Sequence, residues 1–127
     1  MSSSDDVAAS TVRWVVRSSL GGPDVRTVYR KGTRHITAVA TVYVLRGERQ
    51  GLRVAVVAGR RLGSAVSRNR IRRRLGEAFR HIEKDLRSGA DIVIVARSGA
   101  ETAPFESVIS HLSEAFVDAR MMRDNVD

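Results

Sequence analysis

Hydrophobic residues recur along the chain with two different periods, and these periods predict where strands and helices lie. Three segments are dominated by β-branched and apolar residues, and we predict them to be strands: HITAVATVYVLRG (35–47), LRVAVVAG (52–59) and ADIVIVA (90–96). The first two are separated only by the polar turn ERQG, so we expect them to pair as a hairpin. The third segment is apolar throughout, which is typical of a central strand covered on both faces.

Three other segments repeat their apolar residues at helical spacing. A short helix follows the LGGPD break and places Val25, Val28 and Tyr29 on one face. A long basic helix spans roughly residues 68–87, and a last helix opens at Pro104. The order of elements predicts an α+β fold, an α/β sandwich with one central, mostly antiparallel sheet and helices packed on it.

The 127 residues fit one domain, and no internal repeat is present. Residues 1–11 are small, polar and acidic, so we expect a disordered tail followed by a single domain over 12–127. TVRWVVRSS (11–19) is compatible with an extended edge segment. The absence of cysteine excludes disulfides and thiolate metal sites. No apolar run approaches the ~20 residues of a membrane span and no signal peptide is visible, so we expect a soluble, cytoplasmic protein without a membrane partner.

Positive charge is concentrated in one short stretch. The chain carries a net charge of +8, and residues 60–80 contain eight arginines and a single acid, Glu77. A surplus of this size favours an anionic partner, which could be nucleic acid, an anionic membrane or an acidic protein. A merely solvated basic face remains the alternative.

The arginines of the basic helix are not spread evenly around it. With about 100° per residue, the apolar stripe comprises Ile71, Leu75, Ala78, Phe79, Ile82 and Leu86. The flank beside that stripe comprises Asn69, Arg72, Arg73, Gly76 and Arg80, with Arg68 at its border. Arg70 and Arg74 lie on the far side. Like charges at i and i+4 are mildly destabilising, and the planar guanidinium suits phosphate oxygens, so nucleic acid is the favoured partner.

The segment GRRLGSAVSRNRIRRRLGEAFR (59–80) resembles the signature of the bacterial ribonuclease P protein subunit. That family has a basic loop, then small residues and Ala-Val, then Arg-Asn, then a basic helix with an Ala-Phe pair. DVRTVYRKGTR, TVYVL, RVAVVAGRR and ADIVIVAR resemble the flanking elements, so the resemblance covers residues 20 to about 118. Two positions depart from it: Gly76 stands where a basic residue is usual, and Val25 where the first helix usually has Phe.

The resemblance implies an α/β sandwich with an unusual left-handed βαβ crossover, similar to a domain of ribosomal proteins. It implies a protein that binds the catalytic RNA subunit of ribonuclease P and the 5′ leader of precursor tRNA. It also implies that Mg²⁺ acts in the assembled holoenzyme, bound mainly by RNA, with no cofactor on the protein alone and no catalytic residue on it. The implied RNA contacts are Arg60, Arg61, Arg68, Asn69, Arg70, Arg72, Arg73 and Arg80. The implied leader cleft comprises Val25, Arg26, Tyr29, Arg30, Arg34 and Tyr43.

Other chemistries find little support in the sequence. An autonomous nuclease would need clustered carboxylates, but Asp24, Asp91, Glu101 and Glu106 are scattered. The three histidines are isolated and lack metal-binding spacing. A structural RNA-binding protein of the ribosomal kind remains the leading alternative. A DNA-binding module is the second, although no helix-turn-helix pattern is visible.

Overall fold

The computed structural model describes residues 18–48 and 51–123. The predicted tail over 1–11, and all but the end of the predicted edge segment over 11–19, lie outside the described residues. In chain order the elements are β1 (Ser18–Ser19), α1 (Gly22–Lys31), β2 (Thr33–Ile36), β3 (Ala40–Arg46), β4 (Leu52–Val57), α2 (Ala65–Ile82), β5 (Ala90–Ala96), α3 (Gly99–Thr102) and α4 (Phe105–Asp118). Single 3-10 turns precede α2, at Arg60–Leu62, and follow it, at Glu83–Asp85.

The strands form one mixed sheet in the order β1-β4-β5-β3-β2. β4 runs parallel to β1 and to β5, whereas β3 runs antiparallel to β5 and to β2. The α+β prediction is confirmed, and so is the central place of β5. The sheet is less antiparallel than predicted, because β4 and β5 are joined through α2 and therefore enter the sheet in the same direction. The hand of this crossover stays a prediction.

The predicted hairpin between the first two strand segments, 35–47 and 52–59, is wrong. β5 lies between β3 and β4, although β3 and β4 follow one another in sequence. The actual hairpin joins β2 to β3 inside the segment predicted to be a single strand. Thr37 makes this turn, because its hydroxyl donates to the carbonyl of Ala40 at 2.8 Å and accepts from the amide of Ala40 at 3.1 Å. A threonine that caps a turn in this way interrupts a β-branched run without any glycine or proline.

Helices α2 and α4 cover one face of the sheet and form the larger core. Phe79 of α2 and Phe116 of α4 are fully buried, with ring centroids 5.8 Å apart. Burying each aromatic side chain contributes on the order of 2 kcal/mol. The N-terminus of α2 is capped by Ser64, whose hydroxyl accepts from the amide of Ser67 at 3.2 Å. α2 begins three residues earlier than predicted and ends five residues earlier, because the chain tightens into the 3-10 turn.

The edge strand β2 is tied to the end of α4 by the one buried polar side chain among the described residues, His35. Its Nδ1 lies 2.6 Å from Asp118 Oδ2, and its Nε2 lies 2.7 Å from the hydroxyl of Thr33. Both ring nitrogens therefore have a partner, as a buried imidazole requires. This histidine is therefore structurally satisfied.

Helix α1 covers part of the opposite face. Val25 and Val28 have no exposed surface and pack against Ala55, Val57 and Val93 of the sheet. The predicted place of Val25 in the lining of a leader cleft is therefore wrong, because its side chain is enclosed between α1 and the sheet.

Candidate nucleic-acid interface

One flank of α2 carries the predicted basic surface. Asn69, Arg73 and Arg80 are exposed, while Arg68 and Arg72 are half-buried. Arg60 and Arg61 are exposed in the 3-10 turn that leads into the helix. Gly63 ends this turn with φ of +126°, a conformation that favours glycine, and Ser64 then caps α2. The guanidinium groups of the turn and those of the helix therefore come from adjoining parts of the chain.

Arg68 and Arg72 form the most unusual part of this flank. Arg72 Nη2 donates to Asn69 Oδ1, but Arg72 Nη1 and Arg68 Nε are buried and have no hydrogen-bond partner within the described structure. Burial lowers the pKa of Arg72, and the positive charge of Arg68 lowers it further. Two like charges with unsatisfied donors cost folding free energy, and an anion placed against them would remove that cost. This pair is therefore better suited to a bound phosphate than to solvent.

The far side of α2 has a different role. Arg70 Nη1 lies 3.1 Å from Glu101 Oε2. Arg74 Nε donates to the carbonyl of Ala100 at 3.0 Å, and its Nη2 donates to the carbonyl of Ala103. Both arginines therefore fasten the α3 segment to α2. The predicted RNA contact of Arg70 stays a prediction, but its guanidinium already has a carboxylate partner.

Gly76 stands where a basic residue is usual in the family, but it leaves no gap in an exposed surface. Gly76 is buried within α2, one turn from Arg72 and one turn from Arg80. The basic surface therefore divides at this position into the Arg68–Arg72 pair and an outer ridge formed by Arg73 and Arg80.

A second candidate surface lies where α1 meets the sheet. The rings of Tyr29 and Tyr43 are in edge-to-face contact, with centroids 4.9 Å apart and planes at 69°. Burial raises the pKa of Tyr29 to about 12, with a smaller contribution from Tyr43. Arg34 is the cross-strand partner of Tyr43, so both side chains point to the same face of the sheet. Arg26 and Arg30 lie one turn apart on α1 and are exposed.

The sheet face beyond the two tyrosines is open. Thr41 and Val95 are half-buried partners on β3 and β5, and Ile36 of β2 pairs with Thr41 on the same face. Ile36 is 59% exposed, which is unusual for a large apolar side chain on a strand. Sequence reasoning missed Ile36, because an apolar residue within the predicted strand 35–47 does not show by itself which face of the sheet it occupies.

Arg53 fixes α1 to the sheet. Its guanidinium donates twice to Asp91, at 3.0 and 2.8 Å, and once to Asp24 of α1 at 3.2 Å. The hydrogen bond to Asp91 is the main cause of a raised pKa of Arg53. Sequence reasoning missed this network because its three members come from three distant segments. It holds the helix that carries Tyr29 in place.

The carboxylates of the described residues do not form a magnesium site. Among residues 18–48 and 51–123 there is no group of three or more His, Cys, Asp or Glu side chains that could hold a metal ion. Asp24 and Asp91, which approach the same position, both accept hydrogen bonds from Arg53. Within the same residues, no helix combines the length and the apolar character needed to cross a membrane.

Comparison with known proteins decides which family has this arrangement. The model of the family described as Ribonuclease P matches residues 21–120, which is most of the chain. The chain belongs to the ribonuclease P family. A ribonuclease P protein component from Symbiobacterium thermophilum is 37% identical over 99 residues, which is 77% of this chain and 86% of the relative. The one from Clostridioides difficile is 33% identical over 86 residues, 67% of this chain and 75% of the relative.

Solved structures agree on the fold. The ribonuclease P protein of Staphylococcus aureus superimposes with a TM-score of 0.72 at 23% identity, covering 83% of this chain and 97% of that one. The protein of Thermotoga maritima gives 0.69 at 24% identity, covering 77% and 94%. The resemblance seen in the signature segment is thus confirmed. The family assignment makes this chain the protein component of a ribonucleoprotein endonuclease that matures the 5′ end of tRNA.

Proposed function

We propose that this ribonuclease P protein binds the catalytic RNA subunit through the basic flank of α2 and the turn before it. The observation that carries the proposal is the Arg68–Arg72 pair, whose buried donors lack partners. A phosphate placed against the accessible side of this half-buried pair would offset the repulsion between the two charges, and each neutralised phosphate would release counterions. Arg60, Arg61, Arg73 and Arg80 extend the same positive surface to both sides.

The cleft beside α1 is proposed to hold the single-stranded 5′ leader of precursor tRNA. Single-stranded RNA is commonly held by aromatic rings beside positive charge. Tyr29 and Tyr43 supply the rings, and Arg26, Arg30 and Arg34 supply charge around them. The Tyr29 hydroxyl is protonated at neutral pH, as an ordinary tyrosine hydroxyl is, so it can donate to a phosphate or a base without adding negative charge.

This division of roles leaves the hydrolysis to the RNA subunit. The carboxylates of the described residues fit no Mg²⁺ site, so the ions required by the holoenzyme are proposed to be bound mainly by RNA. The protein's contribution is to neutralise phosphates and to position the substrate, which lowers the Mg²⁺ concentration that the assembly requires. We place this activity in the cytoplasm, where precursor tRNA is processed.

Reconstitution with a bacterial ribonuclease P RNA tests the proposal. The full chain should stimulate removal of the leader from precursor tRNA at low Mg²⁺, and should favour precursor over mature tRNA. The preference should fall in Tyr43→Ala, which removes one ring of the cleft. A purely structural RNA-binding protein would bind RNA without stimulating cleavage, and a DNA-binding module would prefer duplex DNA at matched salt.

A further inference from the structure

A groove beside the C-terminal half of α2 shares Arg80 with the basic surface, but its other lining residues have no part in the surfaces described so far. Its volume is about 400 Å³, and it is lined by Glu77, Arg80, His81, Lys84 and Phe105. Four of these residues come from α2 and the turn after it, and the fifth is the first residue of α4. The volume lies near the lower end of the range for ligand pockets, about 300–1,000 Å³. A single nucleotide fits such a space, whereas a longer segment does not.

The aromatic wall of the groove is built before any ligand arrives. Phe105 is only half-buried, and its ring contacts that of His81 edge-to-face, with centroids 5.7 Å apart and planes at 71°. Arg74 donates hydrogen bonds to the carbonyls of Ala100 and Ala103. Because Ala103 lies two positions before Phe105, these bonds fix the start of α4 against α2. The two rings are therefore held by two anchored helices. A preformed aromatic surface of this kind loses little conformational entropy when a base stacks on it.

The charges around the groove suit RNA. Arg80 and Lys84 are exposed and lie one turn apart, on the continuation of the outer ridge that Arg73 begins. Glu77 contributes a carboxylate at the same place. A carboxylate repels phosphate but accepts hydrogen bonds from the exocyclic amino group of a base. The combination of two cations, one carboxylate and two rings therefore matches a nucleotide with an amino-bearing base better than it matches phosphate alone.

We infer that this groove receives one unpaired adenine, cytosine or guanine of the RNA subunit, stacked on Phe105 with its edge against His81 and with its flanking phosphates near Arg80 and Lys84. The inference rests on the proposed function, because the RNA subunit is the proposed partner of α2. It adds a base-stacking contact to a surface that otherwise recognises only the phosphate backbone.

The test uses the full chain bound to a bacterial ribonuclease P RNA. Ultraviolet crosslinking followed by mass spectrometry should find a nucleotide adduct on a peptide that contains His81 or Phe105. Phe105→Leu and His81→Ala should each weaken RNA binding about tenfold, in keeping with the loss of one stacked base. Phe105→Leu should not change the slope of affinity against salt, because it removes no charge. Val117→Ala, at an apolar residue of α4 that is 60% exposed, is the matched control and should bind as wild type does.

His81→Ala keeps the test decisive even if Phe105→Leu fails to fold, because His81 is exposed. Adducts elsewhere on the chain, together with unchanged affinity in His81→Ala, would overturn the inference and leave the proposed function intact. A wild-type chain that does not bind the RNA subunit at all would overturn both.

Discussion

Arg72→Ala is expected to stabilise the free protein and to weaken its complex with RNA. Arg72 keeps one buried donor without a partner, and Arg68 stands one turn away with the same charge. A buried unsatisfied donor costs about 1–3 kcal/mol, and a like-charge pair at i and i+4 costs about 0.2–0.5 kcal/mol. Losing the packing of the arginine stem works in the opposite direction. The net expectation is a rise of about 1 kcal/mol in the free energy of unfolding.

The complex should respond in the opposite way. If phosphate oxygens satisfy the donors of Arg72, the substitution removes a charge-assisted hydrogen bond worth about 1.5–3 kcal/mol. The dissociation constant for the RNA subunit should therefore rise about tenfold or more. Stability is measured by urea unfolding in a phosphate-free chloride buffer, because a bound anion would mask the effect. Affinity is measured by filter binding at one fixed salt concentration.

Arg70→Ala is the matched control, since it removes the same charge two residues away. Arg70 is paired with Glu101 and is more exposed than its partner, so its loss should lower the free energy of unfolding by at most about 1 kcal/mol. It should also weaken RNA binding less than Arg72→Ala does. The reasoning would be refuted if Arg72→Ala destabilised the free protein, or if both substitutions weakened binding equally.

Three further substitutions test other parts of the account. Tyr29 contributes stability that is fully present below its ordinary pKa of 10.0 and is lost as pH rises through about 12. Tyr29→Phe should therefore flatten the fall in the free energy of unfolding between these two pH values. Urea titrations at several alkaline pH values measure this, and a parallel fall in both proteins would contradict it. Gly32→Ala should destabilise the protein by about 1–3 kcal/mol, because the added Cβ would lie 2.7 Å from the carbonyl oxygen of Val28. The control Gly47→Ala should leave the stability unchanged, because its added Cβ meets nothing within 4 Å. Equal thermal unfolding of the two variants would argue against the close approach at Gly32. Arg53→Met should destabilise by about 2 kcal/mol because it removes two hydrogen bonds to the half-buried Asp91 and one to Asp24, and an unchanged urea midpoint would count against the network.

Local patterns were sufficient for the elements that carry the basic surface. The arginine density and the apolar stripe predicted where α2 lies and which residues form its basic flank. Both predictions depend only on the spacing of residues along one helix. The apolar run of β5 placed it at the centre of the sheet for a similar reason. The predicted pairing of β3 with β4 was wrong because the order of strands in the sheet depends on where α2 returns the chain, which no local pattern encodes.

The partners of individual side chains were beyond the sequence for the same reason. Arg70 and Arg72 are two residues apart in one basic run. Arg70 forms an ion pair with Glu101, whereas Arg72 lies near the like charge of Arg68. Val25 occupies a position that the resemblance assigns to a cleft, but its side chain on α1 is buried in the core. Phe105 looked like one more apolar residue of a helix, and only the packing of α4 on α2 brings its ring beside His81.

The salt dependence of binding to the RNA subunit tests the central claim most directly. The logarithm of the association constant falls linearly with the logarithm of salt concentration, with a slope set by the number of phosphates neutralised. For the double variant Arg72→Ala with Arg73→Ala, we predict a slope that is shallower by about one to two and a lower affinity at every salt concentration. A slope and an affinity equal to those of wild type would contradict the claim that this flank of α2 binds RNA.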